Sequence, residues 1–516
     1  MQVEQFVEAS AQRFPDKVAL VCNQRRLSYR EVDDASNCLA RALIDAGLRR
    51  GERVAINLDN SVETVLAIFA TLKAGGVFMV LNPTMKADKL AFILNNSRAS
   101  VLFIHDRRQA VLREIWPTTP HTRTFISVGP APGDQLDDSK RVLSLDRLLE
   151  GPRTSSKPEN RCIDIDLAAL IYTSGSTGTP KGVMLTHLNI VSAATSITAY
   201  LENTPHDIIF NVLPLSFDYG LYQVLMAFKV GGTLILERSS TYPHAVLQTL
   251  VGERVTGFPI VPTISAILLQ MDLRKYDLSC LRYVTSTGAA LPTKHIVELR
   301  AAMPHVTVYS MYGLTECKRV SYLPPDQIGI RPTSVGKGMP NEEVYIVDER
   351  GNRLSSGVGE LVIRGSNVMK GYWEMPEETA RVLKPGPLPC EKVLYSGDLF
   401  RMDEEGYLHF IGRKDDIIKT RGEKVSPREV ENVLYELPGI SEAAVVGVAD
   451  DVLGEAIKAI VALTPGAKLT GRDILRHCAQ RLEDFMVPEL VDIRPSLPKT
   501  SSGKIAKNEL NGAVAH

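Results

Sequence analysis

Leu167-Ala-Ala-Leu-Ile171 and its continuation, Tyr172-Thr-Ser-Gly-Ser-Thr-Gly-Thr-Pro-Lys-Gly-Val-Met-Leu-Thr-His187, organise the reading of the whole chain. The five apolar residues read as a buried strand. Beyond them Gly175, Gly178 and Gly182 carry no Cβ, so a ligand can approach the backbone closely. Four hydroxyls, on Thr173, Ser174, Ser176 and Thr177, are followed by the cation Lys181. Backbone N–H groups, hydroxyl donors and one ammonium in so short a segment suit a polyphosphate. The spacing is not that of a P-loop: Pro180 precedes Lys181, and Gly182 stands where a Ser or Thr is needed. A Gly/Ser-rich surface linker is the bland alternative. The return through Pro-Lys-Gly-Val to an apolar run argues against it.

Upstream of this stretch, strand-like and helix-like segments alternate. Residues 3–50 read as helix, hairpin and helix, with Ser28-Tyr-Arg-Glu31 a capping box for the second helix. Then come Arg53-Val-Ala-Ile-Asn57 (strand), 62–73 (helix), Gly75-Gly-Val-Phe-Met-Val-Leu81 (strand), 86–95 (helix) and Val101-Leu-Phe-Ile104 (strand). Such alternation predicts a largely parallel α/β sheet. Residues 106–165 are polar, with scattered Pro and Gly, and read as surface excursions.

Downstream, Ile208-Ile-Phe-Asn-Val-Leu-Pro-Leu215 leads into Ser216-Phe-Asp-Tyr-Gly220 and a helix. Tyr283-Val-Thr-Ser-Thr-Gly-Ala-Ala-Leu-Pro292 is a strand running into a small-residue turn. Thr307-Val-Tyr-Ser-Met-Tyr-Gly-Leu-Thr-Glu316 is another strand, ending on a carboxylate. Tyr395-Ser-Gly-Asp398 places a second carboxylate after a glycine turn, where it can accept both hydroxyls of a ribose. From Gly412-Arg-Lys-Asp-Asp-Ile-Ile-Lys-Thr-Arg-Gly-Glu-Lys-Val-Ser-Pro427 the pattern changes to a compact α+β unit of roughly 100 residues. It closes on Leu497-Pro-Lys-Thr-Ser-Ser-Gly-Lys-Ile-Ala-Lys507. The expected division is therefore 1–412 and 413–516.

Composition narrows the function. At 516 residues the chain is too long for one small core. Lys and Arg number 59 against 60 Asp and Glu, so nothing points to nucleic acid or an anionic membrane surface. The seven cysteines are scattered without metal-ligand spacing, which favours free thiols in a reducing cytosol. No signal peptide and no apolar run of membrane-spanning length is apparent. The expectation is a soluble cytoplasmic protein.

Taken in order, these stretches resemble the signature motifs of the adenylate-forming superfamily: acyl- and aryl-CoA synthetases, peptide-synthetase adenylation domains and luciferases. The resemblance runs over about residues 10 to 507. It implies an α/β fold: a large N-terminal domain of mixed, mostly parallel sheets with helices, and a small mobile α+β C-terminal domain. It also implies that Thr173, Ser174, Gly175, Ser176, Thr177, Gly178 and Lys181 hold ATP phosphates. Gly288 and Ala289 match the turn that packs on adenine, and Tyr312 and Gly313 precede Thr315, which suits the α-phosphate. Glu316 suits Mg²⁺, a hard cation that takes one or two carboxylates beside phosphate oxygens. Asp398 and Arg413 match the ribose contacts, Asp415 the hinge, and Lys504 the catalytic lysine of the first half-reaction. Lys419 and Gly422 match positions that face the acyl-thiol step. Lys507 stands where an arginine is usual.

The implied reaction joins a carboxylic acid to a thiol through an acyl-adenylate. Asp218, Tyr219, Tyr222, Met311 and Arg319 occupy the matching acid-pocket positions. Amino-acid-activating relatives place an aspartate after phenylalanine to pair with the substrate ammonium, and Asp218 fits that pattern; it equally fits a carboxylate paired within the protein. Two tyrosines leave limited room, which favours a small or medium acid, with an amino or imino acid among the options. The acceptor is coenzyme A or the phosphopantetheine of a separate carrier protein. A silent nucleotide-binding relative is the reading from another class; Lys181, Glu316, Asp398, Arg413 and Lys504 argue against it.

Overall fold

The computed structural model of the chain describes residues 1–129, 140–150, 156–159, 162–174, 180–238, 242–414, 416–421, 423–450, 453–500 and 504–510. The strand–helix alternation builds two of its sheets. In the first, Val77–Val80, Arg53–Asn57, Ala99–His105, Thr124–Val128 and Arg141–Ser144 lie side by side and parallel. Leu167–Ser174 adds on parallel to Val77–Val80, and Pro180–Thr186 turns back antiparallel to it. The sheets are therefore mixed. The reading of 106–165 as surface excursions is corrected: Thr124–Val128 and Arg141–Ser144 extend this sheet, with Phe125 and Ile126 buried. Two short strands in polar surroundings give too little periodicity to stand out.

In the second sheet Val18–Cys22, Thr233–Leu236, Ile208–Asn211, Gly257–Ile260, Tyr283–Ser286 and Thr307–Tyr312 are parallel neighbours. The helices Val62–Lys73 and Asp218–Val230 meet in the core, where Phe69 and Phe228 stack at 5.4 Å. Val62–Lys73 is buried at every position but Glu63, and so carries no polar face. Its start is fixed by Ser61, whose side chain accepts from the Thr64 N–H. Its last residue, Lys73, is buried, and its ammonium donates to Asp33 at 2.6 Å, Ser36 at 2.7 Å and Asn37 at 2.8 Å. The predicted capping box at Ser28 and Glu31 is present.

A third, antiparallel sheet runs through Glu342–Val347, Gly357–Gly365, Lys392–Met402 and Leu408–Arg413. One continuous core joins all three sheets, from Val3 to Leu408. From Ile418 onward the chain has apolar clusters of its own. There Ile440–Asp450, Gly454–Leu463 and Leu490–Arg494 form a sheet, with Pro427–Glu436 and Gly471–Ala479 packed in its core. The fold is a large α/β N-terminal domain with a smaller α+β C-terminal one. Among the described residues no helix is long and apolar enough to cross a membrane, and all seven cysteines are free thiols.

Candidate functional site

Tyr283–Ser286 and Thr307–Tyr312 are parallel neighbours, so the loops after their C-terminal ends emerge side by side. Ligand crevices in α/β sheets form at such strand ends. The first loop carries Gly288, whose φ of +86° an L side chain rarely adopts. A Cβ there would also stand 3.0 Å from the Phe217 ring and 3.3 Å from Lys504 Cε. The second loop carries Thr315 and Glu316 and folds back on Gly313, where a Cβ would lie only 1.9 Å from the Lys318 carbonyl oxygen. Phe217 is the N-cap of the helix Asp218–Val230, which sets Asp218 in the first turn.

Lys504 reaches this place from the other domain. Its backbone is held by Thr500, whose N–H donates to the Lys504 carbonyl at 2.7 Å. The ammonium lies 5.3 Å from the centroid of the Phe217 ring. Burial pulls it below the ordinary lysine value, against the carboxylates of Asp218, Asp398 and Glu316. Lys504 thus comes within electrostatic reach of three carboxylates far from it in the chain.

Asp398 and Arg413 face each other across paired strands, with Arg413 Nε 3.4 Å from Asp398 Oδ1. Tyr312 donates its hydroxyl to Asp398 Oδ2 at 2.5 Å. Oδ1 is buried and accepts no hydrogen bond. Burial raises the Asp398 carboxyl above its ordinary value, with Tyr312 and Arg413 opposing. A buried acceptor short of a donor suits a ligand hydroxyl. Glu316 accepts from Tyr372 Oη at 2.8 Å.

Thr173 pairs with Lys181 across the antiparallel strands that flank the glycine loop. The Lys181 ammonium is 2.6 Å from Glu378 Oε2 and 5.4 Å from the Tyr372 ring centroid. Gly175, Ser176, Thr177 and Gly178, the side chain of Ser174, and Asp415 and Gly422 lie outside the described residues. Ala289 is exposed at the turn. Lys419 is exposed on the hairpin of Ile418–Thr420 and Glu423–Val425, its N–H donating to Glu455 at 2.6 Å, and is not brought to the site.

Of the predicted acid-pocket residues, Asp218, Tyr219 and Tyr222 share one helix and are buried, and Arg319 touches Tyr219. Tyr219 and Tyr222 are each 1% exposed, and Tyr219 donates to the Thr285 carbonyl at 2.7 Å. The Arg319 guanidinium stacks on Tyr219 at 4.4 Å. Met311 is buried, its sulfur 3.0 Å from the Tyr200 hydroxyl. Sequence reasoning missed three participants: Lys318, Tyr372 and Glu378. Lys318 is buried with its ammonium 5.6 Å from the Tyr222 ring centroid, and Glu378 meets Lys181 across 197 residues of chain, a distance no local pattern spans.

Two family models match the chain: AMP-binding enzyme over residues 7–373 and AMP-binding enzyme C-terminal domain over residues 429–504. It is 32% identical to a long-chain-fatty-acid–CoA ligase of Bacillus subtilis, over 98% of this chain and 94% of that protein. Among solved structures, the anthranilate CoA ligase AuaEII in complex with anthranoyl-AMP superposes with a TM-score of 0.89 at 27% identity, covering 99% of this chain and 96% of that one. ATP-bound MatB from Rhodopseudomonas palustris gives 0.86 at 28%, covering 99% and 98%.

Proposed function

The chain belongs to the AMP-binding enzyme family, and from that premise we propose that it is an ATP-dependent acid–thiol ligase that passes through an acyl-adenylate. The substrate carboxylate attacks the α-phosphorus of ATP, the bond to the β-phosphate oxygen breaks, and pyrophosphate leaves. The thiol of coenzyme A then attacks the acyl carbon, the C–S bond forms, and AMP departs with the anhydride oxygen. The CoA ligases among its relatives favour coenzyme A over a carrier protein as acceptor.

One observation carries the reading: Lys504 stands within the charge field of Asp218, Asp398 and Glu316, although it belongs to the C-terminal unit. An ammonium held there offsets the negative charge that crowds the first transition state. Asp398 Oδ1, without a donor, would accept a ribose hydroxyl, with Arg413 bordering it. Thr315 and Lys181 would hold phosphate oxygens, Lys181 exchanging Glu378 for the nucleotide. The half-buried carboxylate of Glu316, oriented by Tyr372, fits Mg²⁺, which when bound neutralises phosphate charge. Tyr219 and Tyr222 close the pocket around a small or medium acid.

The second half-reaction needs Lys504 out of the way and a different face turned in. The hairpin of Lys419 is a candidate face, and Asp415, which follows the strand Leu408–Arg413 in the sequence, is the candidate hinge. The test is ATP–pyrophosphate exchange across a panel of acids, followed by CoA-thioester formation with those that exchange. Absence of exchange with every acid, with folded protein and Mg²⁺ present, would sink the reading.

A further inference from the structure

Two buried lysines of this chain differ in one respect. Lys73 donates to a carboxylate, a hydroxyl and an amide oxygen. Lys318 is 1% exposed, yet its ammonium has no hydrogen-bond partner. It lies 5.6 Å from the centroid of the Tyr222 ring. Its backbone is left-handed, φ +73°, a conformation that costs a non-glycine residue some free energy. Buried polar groups in proteins are almost always paired, so a missing partner calls for an explanation.

Lys318 is not alone. The neighbouring Arg319 has a buried Nε without an acceptor, and the Tyr222 hydroxyl is equally unpartnered. All three groups can donate; what is missing is an acceptor. Asp218 is the carboxylate that bears most on both Lys318 and Lys504. It forms no ion pair with either among the described residues, and Glu316 is the second carboxylate whose charge reaches Lys318.

We propose that the acid taken by this pocket carries a second anionic group, a carboxylate at the end remote from the one activated, which Lys318 and Arg319 bind. The inference rests on the ligase reading, since Lys504 must mark the end where the adenylate forms. The remote carboxylate accepts from the Lys318 ammonium, the Arg319 Nε–H and the Tyr222 hydroxyl, and satisfies all three at once. Charge-assisted hydrogen bonds in a water-poor pocket are stronger than neutral ones. A substrate lacking the anion leaves the cations bare, and sites built this way reject such analogues by large factors. The activation chemistry is unchanged; the remote group is held, not transformed.

The test is ATP–pyrophosphate exchange by the full chain with α,ω-dicarboxylic acids of three to six carbons, their ω-monoamides and the monocarboxylic acids of equal length. Each is run with and without an α-amino group. A dicarboxylate preferred over its own monoamide by roughly 100-fold in kcat/KM is the expected result. In Lys318→Met the preference of that pair falls to about one; Arg319→Gln lowers it in the same direction. Exchange that favours the monoamides or plain acids overturns the inference and leaves the ligase reading standing. A preference that survives Lys318→Met overturns the assignment as well. No exchange with any acid overturns both.

Discussion

Lys504 and Phe217 lie 5.3 Å apart, ammonium to ring centroid, although they come from different domains. On the proposed reading this contact, with Gly288 beside it, sets Lys504 for adenylate formation. Lys504→Ala is therefore expected to lower pyrophosphate exchange by about 10²–10³-fold, the usual loss for one preorganised charge-stabilising group. Thioester formation from supplied acyl-adenylate should be spared. Equal loss of both half-reactions would end the division of labour.

At the proposed ribose end, Tyr312→Phe removes the donor to Asp398 at 2.5 Å and leaves that buried carboxylate with Arg413 alone. A hydrogen bond to a charged group contributes about 1.5–3 kcal/mol. KM for ATP should rise by roughly 10-fold or more, with the acid KM little changed. An unchanged ATP KM would remove Asp398 from the nucleotide site.

Glu378 holds the Lys181 ammonium, and on the proposed reading it competes with the nucleotide for it. The pair is partly exposed, and such pairs contribute roughly 0.2–1 kcal/mol. Glu378→Gln should lower KM for ATP by about 1.5- to 5-fold. A rise instead would mean that Glu378 holds Lys181 in the binding position.

Lys318 supplies a pH dependence. Burial, opposed chiefly by Asp218 and Glu316, pulls its ammonium down to about 8; Cys317, Arg319 and Tyr222 also face it. Above that pH the free enzyme loses the cation, so kcat/KM for a dicarboxylate should fall as pH rises through about 8. For its monoamide the same profile should be flat there.

The same residue should carry a stability cost. A folded value below that of the unfolded chain means the charged form is disfavoured in the fold. That cost is full below pH about 8 and fades as pH rises from there towards the unfolded value of 10.5. Lys318→Met, close in volume, should raise unfolding stability at pH 7 by about 1–4 kcal/mol while damaging the site. Chemical denaturation at pH 7 and 9.5 checks it: a gain larger at the higher pH has the wrong sign.

The sequence by itself determined the α/β class, the capping box at Ser28 and the order of motifs that marks the family. Those features rest on local periodicity and turn chemistry, which neighbouring residues settle among themselves. It also named Asp398, Arg413, Glu316 and Lys504, because each sits in a short pattern. It misread Thr124–Val128 and Arg141–Ser144, whose place in a sheet depends on the Ala99–His105 strand beside them. Tertiary structure alone decided that Lys181 meets Glu378, that Lys504 crosses to Phe217, and that Lys318 is buried without a partner while Lys73 is not. Burial and pairing are properties of what the rest of the chain brings alongside. A lysine two residues after a glutamate reads the same in either case, and only the packed fold takes its water away.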